Sequence, residues 1–140
     1  MIDLSTDKSR LQIDRIHGWL ASTYWSPGVA RDLVERAIAG STCVGAYRDG
    51  VQIGFARAIT DGATFAWLAD VFVEDSARGA GVGRAMVSHL LALPDLAGLR
   101  RWMLATRDAH DLYARLGFAP LDKVADYMVR RPGPAPEVAA

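Results

Sequence analysis

The sequence predicts a single α/β domain with the element order ααβββαβαβ. Three observations carry this. Apolar side chains recur at helical spacing through residues 8–40. Residues 42–73 then switch to β-branched, aromatic and small residues, broken by the hairpin signals Asp49-Gly50 and Asp61-Gly62. The run Arg78-Gly79-Ala80-Gly81-Val82-Gly83 finally joins this region to another amphipathic stretch. A chain of 140 residues, 51% hydrophobic and 23% charged, is long enough for one substantial core and too short for two ordinary domains.

In chain order, Ile13, Ile16 and Leu20 share one helical face and predict a helix over about residues 8–21. A second helix is expected from Ser26 as cap and Pro27 as first helical residue. Its stripe is Val29, Leu33, Ala37 and Ile38, and Gly40 ends it. Between them lies the polar and aromatic connection Ser22-Thr23-Tyr24-Trp25. Residues 42–47, 51–60 and 63–73 predict three antiparallel strands. After the glycine run, Val82, Met86, Leu90 and Leu93 mark the buried face of a helix that Pro94 helps to stop. Trp102-Met103-Leu104-Ala105 predicts a short central strand. A short helix follows, capped by Asp108 and closed by Gly117, and a last strand is expected near 124–130. The domain is expected to end at residue 130. The proline-rich tail, residues 131–140, has too little to bury and is expected to be disordered.

Charge and cysteine content narrow the function. Lys plus Arg and Asp plus Glu balance at 16 each, so no basic surplus argues for nucleic acid or an anionic membrane. Cys43 is the single cysteine, which excludes an internal disulfide and suits a reducing compartment. No apolar run spans a bilayer and the N-terminus lacks a signal-peptide core, so a cytoplasmic protein is expected. His17, His89 and His110 show no metal-ligand spacing, and no metal is expected.

The glycine run has the chemistry of a phosphate cradle. Glycines at 79, 81 and 83 admit close approach of a ligand, and a helix starting there aims free N–H groups at an anion. A tight structural connection is the alternative. The Arg-x-x-Gly-x-Gly pattern at Arg78, Gly81 and Gly83, joined to the downstream string Ala109-His110-Asp111-Leu112-Tyr113-Ala114-Arg115-Leu116-Gly117-Phe118, resembles the GNAT superfamily of acyl-CoA-dependent N-acetyltransferases. Element order matches over about residues 8–130, with close motif similarity confined to about 65–83 and 102–118.

The resemblance implies a mixed, mainly antiparallel central sheet flanked by helices, with acetyl-CoA as co-substrate. It implies that Val71 and Val73 pair with the pantetheine arm through their backbone and that Arg78, Gly79, Ala80, Gly81, Val82 and Gly83 receive the diphosphate. Tyr113 would be the general acid for the departing thiolate, since an unperturbed phenol with a pKa near ~10 is protonated at neutral pH. The Val71 N–H would polarise the thioester carbonyl. Asp70 would help deprotonate the amine through water, with His110 as the alternative base, or Asp70 would simply pair with an arginine. Thr106 stands where many relatives carry a pantetheine-holding asparagine. Arg84 could add charge at the phosphates, and Arg107 could meet CoA or an acceptor carboxylate. Tyr24, Trp25, Phe65 and Trp67 are the expected acceptor wall, with Arg57 and Asp61 as added charge.

The expected activity is acetyl transfer to a primary amine, a small metabolite first and a protein lysine or N-terminus second. A non-catalytic acyl-CoA-binding sensor is the rival from another class. Homodimerisation is an expectation by analogy with similar folds alone.

Overall fold

The computed structural model describes residues 1–133, and the rest of the expected tail lies outside the described residues. The five strands are β1 (Asp3–Ser5), β2 (Thr42–Arg48), β3 (Val51–Thr60), β4 (Phe65–Val73) and β5 (Arg101–Met103), and they lie in sequence order across one sheet. The first four pair antiparallel and β5 joins β4 in parallel, which gives the mixed, mainly antiparallel sheet. The helices are α1 (Ile13–Ala21), α2 (Arg31–Ala39), α3 (Val82–Leu91) and α4 (His110–Ala114).

Strand alternation sorts the core onto two faces. On one face Cys43 and Phe55 pack with Ile16, Leu20, Val34 and Ile38 of α1 and α2. On the other, their neighbours Val44 and Ala56 join Leu68, Val82, Met86 and Leu90 beneath α3, with Tyr113 of α4. The β2–β3 turn has Asp49 at φ 52° and Gly50 at φ 78°, the paired left-handed residues a two-residue hairpin turn requires. In the β3–β4 loop Asp61 accepts the Ala63 and Thr64 N–H groups at 2.9 and 2.8 Å. Those backbone N–H groups and the Thr64 hydroxyl hold its carboxyl far below the usual carboxylate range.

Four expectations are corrected. A three-residue strand at Asp3–Ser5 was not foreseen, because so short and polar a segment carries no periodicity. Residues 8–10 form a separate 3-10 turn, so the first α-helix begins only at Ile13. The second helix starts at Arg31 rather than at Pro27: Gly28 turns at φ 69° with its N–H on Ala21 O, and Ala30 is extended. Its buried residues are Val34 and Ile38, while Leu33 of the expected stripe is exposed. No strand forms at 124–130. After Lys123 in the left-handed region comes a 3-10 turn, Val124–Asp126, and no ladder partner meets the segment among the described residues. Residues 131–133 carry no helix or strand and are exposed.

Candidate active site

The site arises where β4 and β5 part. They pair only at Phe65–Arg101, Ala66–Trp102 and Trp67–Met103, so β4 has no partner on that side from Leu68 onward. A one-residue bulge falls in the open stretch. Phe55 and Arg57 of β3 sit opposite Phe72 and Ala69, so three steps of β4 answer two of β3. Asp70 occupies the bulge at φ 55°. Beyond it the Glu74 N–H bonds to Ile53 O on the β3 side. Since backbone direction alternates along a strand, the N–H groups of Val71 and Val73 point to the open edge. The Val73 carbonyl on that edge already accepts the Arg78 Nε–H at 3.0 Å.

Two clefts meet at this edge. One, of about 680 Å³, runs along Val71, Phe72 and Val73 to Arg78, Gly81 and Arg84. At its far end α3 begins at Gly81, left-handed at φ 78°, without a side-chain cap. Gly79 is also left-handed, at φ 84°, and a Cβ built on either glycine meets nothing within 4 Å. Only glycine holds this turn without strain, and the uncapped N–H groups of the helix face open space. Gly83 serves differently, since a Cβ there would lie 3.6 Å from Val73 Cγ2, toward the core. The Arg78 guanidinium is folded back onto Asp75 at 2.9 Å, whereas Arg84 lines the cleft with no ion-pair partner among the described residues.

The second cleft, of about 620 Å³, is lined by Trp67, Asp70, Leu104, Thr106 and Arg107. Tyr24, Trp25, Val71, Asp108, Ala109 and Tyr113 border both clefts. Tyr113 is buried, and burial first, then the neighbouring Tyr24 and Asp108, push its phenol up to about 12. The α1–α2 connection straps the junction from above. Trp25 Nε1–H donates to Asp70 at 2.8 Å, and the Tyr24 hydroxyl accepts the Arg107 N–H at 3.2 Å beneath a guanidinium 3.7 Å from its ring centroid.

Several sequence expectations fall elsewhere. Phe65 is at the far end of β4, in a separate hollow with Thr64, Arg100 and Arg101, because the strand carries it away from the splay. Asp61 is occupied by its own loop. Thr106 lines the second cleft rather than the first, and its Oγ1 accepts the Ala109 N–H at 3.1 Å in the turn before α4; the helix itself has no side-chain cap, so the expected cap at Asp108 does not form. His110 is exposed and borders neither cleft. Asp70 has both oxygens engaged, one by Trp25 and one by Arg57 Nε at 2.7 Å. Asp108 was read from sequence only as a cap, and its place beside Tyr113 follows from the loop leaving β5, which no local signal announces.

An open strand edge leading to an uncapped glycine-turned helix, with a second cleft across a buried phenol, is an arrangement that suits a transferase with an extended, anionic donor. A family model described as "Acetyltransferase (GNAT) domain" matches residues 39–120. A protein of Gibberella zeae whose acetyltransferase assignment is itself provisional is 34% identical over 93% of this chain and 89% of its own. A crystal structure from Xanthomonas campestris pv. campestris, provisionally assigned to the same family, is 48% identical with a TM-score of 0.91, covering 94% of this chain and 93% of that one. Glucosamine-6-phosphate N-acetyltransferase from Arabidopsis thaliana, 13% identical with a TM-score of 0.64 over 95% of this chain and 99% of its own, shares the fold. The chain belongs to the GNAT acetyltransferase family, and this membership implies acetyl-CoA as co-substrate. Among the described residues no helix is long and apolar enough to cross a membrane, and no cluster of three His, Cys, Asp or Glu could hold a metal.

Proposed function

We propose that the protein is an N-acetyltransferase that moves an acetyl group from acetyl-CoA to the primary amine of a small molecule, both bound at once. The observation that carries this reading is the meeting of two clefts on Val71 and Tyr113. Such a junction suits direct attack by an amine on a thioester.

In this reading the first cleft holds acetyl-CoA, which supplies the activated acetyl group. The amides from Arg78 to Gly83 and the Arg84 side chain receive the diphosphate, and Val71 and Val73 offer N–H groups to the pantetheine arm. The Val71 N–H points at the thioester carbonyl and stabilises charge developing on its oxygen. Tyr113 donates its phenolic proton to the departing sulfur, and burial keeps that proton in place. The acceptor occupies the second cleft against Tyr24, Trp25 and Trp67, which suit an apolar or cationic amine. Its ammonium proton leaves to water at the mouth, where Asp108 lies. Asp70, engaged by Arg57 and Trp25, serves to organise the site.

Calorimetric titration with acetyl-CoA tests the reading. The parent binds; Gly81→Glu, which places bulk and negative charge in the cradle, does not. No binding by a folded parent overturns it. Binding without transfer to any member of a broad amine panel would favour a sensor.

A further inference from the structure

Asp70 sits in a conformation that L side chains rarely adopt, and its surroundings explain why it stays there. Left-handed backbone outside glycine carries a cost, least for Asp and Asn, and Asp70 adopts it inside a strand whereas Asp49 does so in a hairpin turn. Arg57 Nε donates to one carboxylate oxygen at 2.7 Å and Trp25 Nε1 to the other at 2.8 Å. The ion pair is nearly closed to solvent, with side chains 16% and 10% exposed. Arg57 is itself anchored: its NH1 donates to Ser41 Oγ at 3.0 Å, and that hydroxyl donates to Ala37 O in the last turn of α2 at 2.6 Å. A continuous polar chain therefore runs from the end of α2, across the sheet face, to the bulge and into the α1–α2 connection. The next residue is Val71, whose N–H faces the junction of the clefts.

We propose that Arg57 and Trp25 are positioning residues which clamp the Asp70 bulge and thereby aim the Val71 N–H at the acyl carbonyl. The inference rests on the acetyl-CoA assignment above. Its reasoning is geometric. The extra residue at 70 puts Val71 on the open edge, and the ladder that pairs Ala69 with Arg57 and Phe72 with Phe55 gives neither Asp70 nor Val71 a partner of its own. The arginine supplies a rigid, planar donor tied at two points, which lysine cannot imitate. Glycine is the discriminating substitution at 70, because it adopts a positive φ freely and carries no carboxylate.

The test is an amide-resolved NMR titration of the full chain with acetyl-CoA and, separately, with CoA. In the parent, the amides of Arg78–Gly83 respond to both ligands, while Val71 shifts downfield only with acetyl-CoA. Arg57→Met keeps the cradle response and loses the Val71 shift. Asp70→Gly retains that shift, and the Arg57→Met/Asp70→Gly pair recovers it, since the bulge no longer needs clamping. Trp25→Phe, on a half-exposed loop, weakens the Val71 shift and tests the clamp from its other end should Arg57→Met unfold. An unchanged Val71 shift in Arg57→Met, or its loss in Asp70→Gly, overturns the proposal while the cradle response leaves the cofactor reading standing. A parent whose cradle amides respond to neither ligand removes the cofactor reading, and the clamp with it.

Discussion

Replacing Tyr113 by Phe separates the chemistry of its hydroxyl from the packing of its ring. The ring meets Phe118 edge-on, with centroids 5.9 Å apart, and that contact survives the change. The hydroxyl has no hydrogen-bond partner among the described residues, so stability near neutral pH should alter by less than about 1 kcal/mol. The alkaline limb is where the two proteins should part. Burial pushes the phenol up to about 12 from its ordinary value of 10.0. The folded state thus holds its proton more tightly than the unfolded chain, and the associated stability is complete below about pH 10 and lost as pH rises through about 12. Two pH units at about 1.4 kcal/mol each make about 3 kcal/mol. Urea unfolding of parent and variant from neutral pH to about pH 12, where half of the folded-state phenol is still protonated, should show the parent losing about 2 kcal/mol more than the variant. Parallel loss in the two proteins would refute the argument that Tyr113 is buried as a neutral phenol. Turnover adds a second arm: loss of a general acid should lower kcat by about 10²–10⁴-fold with acetyl-CoA affinity little changed. Equal turnover would take Tyr113 out of the mechanism.

Other expectations are as direct. The Tyr47 hydroxyl is buried with no hydrogen-bond partner, so Tyr47→Phe should leave stability unchanged or raise it by about 1–3 kcal/mol in chemical denaturation. Gly45→Ala should destabilise, because its Cβ would lie 2.7 Å from Tyr47 Cζ, and a lower unfolding midpoint checks it. Cys43 is buried and its thiol is pushed up to about 11 by desolvation, so labelling by a thiol reagent at neutral pH should follow unfolding rather than proceed on the native protein. Once an acceptor is in hand, Trp67→Ala should raise its KM while Phe65→Ala should not, since only Trp67 lines the second cleft.

Much of the scaffold was legible because local signals and tertiary structure agree. Asp49-Gly50 is a hairpin turn in sequence and in space, and Gly79 and Gly81 adopt the left-handed angles that made the glycine run conspicuous. Where they disagree, a long-range partner decided. Pro27 reads as a helix start, yet the Gly28 N–H is taken by Ala21 and the helix waits until Arg31. Residues 124–130 have strand composition, yet they form a 3-10 turn at Val124–Asp126 and join no ladder although β5 stands at an edge of the sheet. Phe65 and Trp67 lie two positions apart on β4, and only the splay from β5, which no single strand encodes, separates their environments. Asp70 was read as a base or an arginine partner. Choosing its contacts needed the register of β3 against β4, which puts Arg57 beside it.

The single extra residue in β4 also resets the parity of that strand. Before it, Ala66 and Leu68 face the α3 side; after it, Val71 and Val73 do, while Phe72 turns to stack on Trp19 of α1 with centroids 5.4 Å apart. An uninterrupted strand would group positions 66, 68, 70 and 72 instead. Flattening the bulge with every residue kept would therefore turn the following side chains inside out, sending Phe72 toward α3 and Val73 toward α1, whereas deleting Asp70 itself would leave Val71, Phe72 and Val73 on their present faces and remove only the bulge. Length changes at the exposed Asp61–Thr64 loop carry no such penalty. Related chains should tolerate insertions and deletions at that loop, while near the bulge the only one-residue change that keeps the packing faces is loss of the bulge residue itself, even where their side chains have diverged.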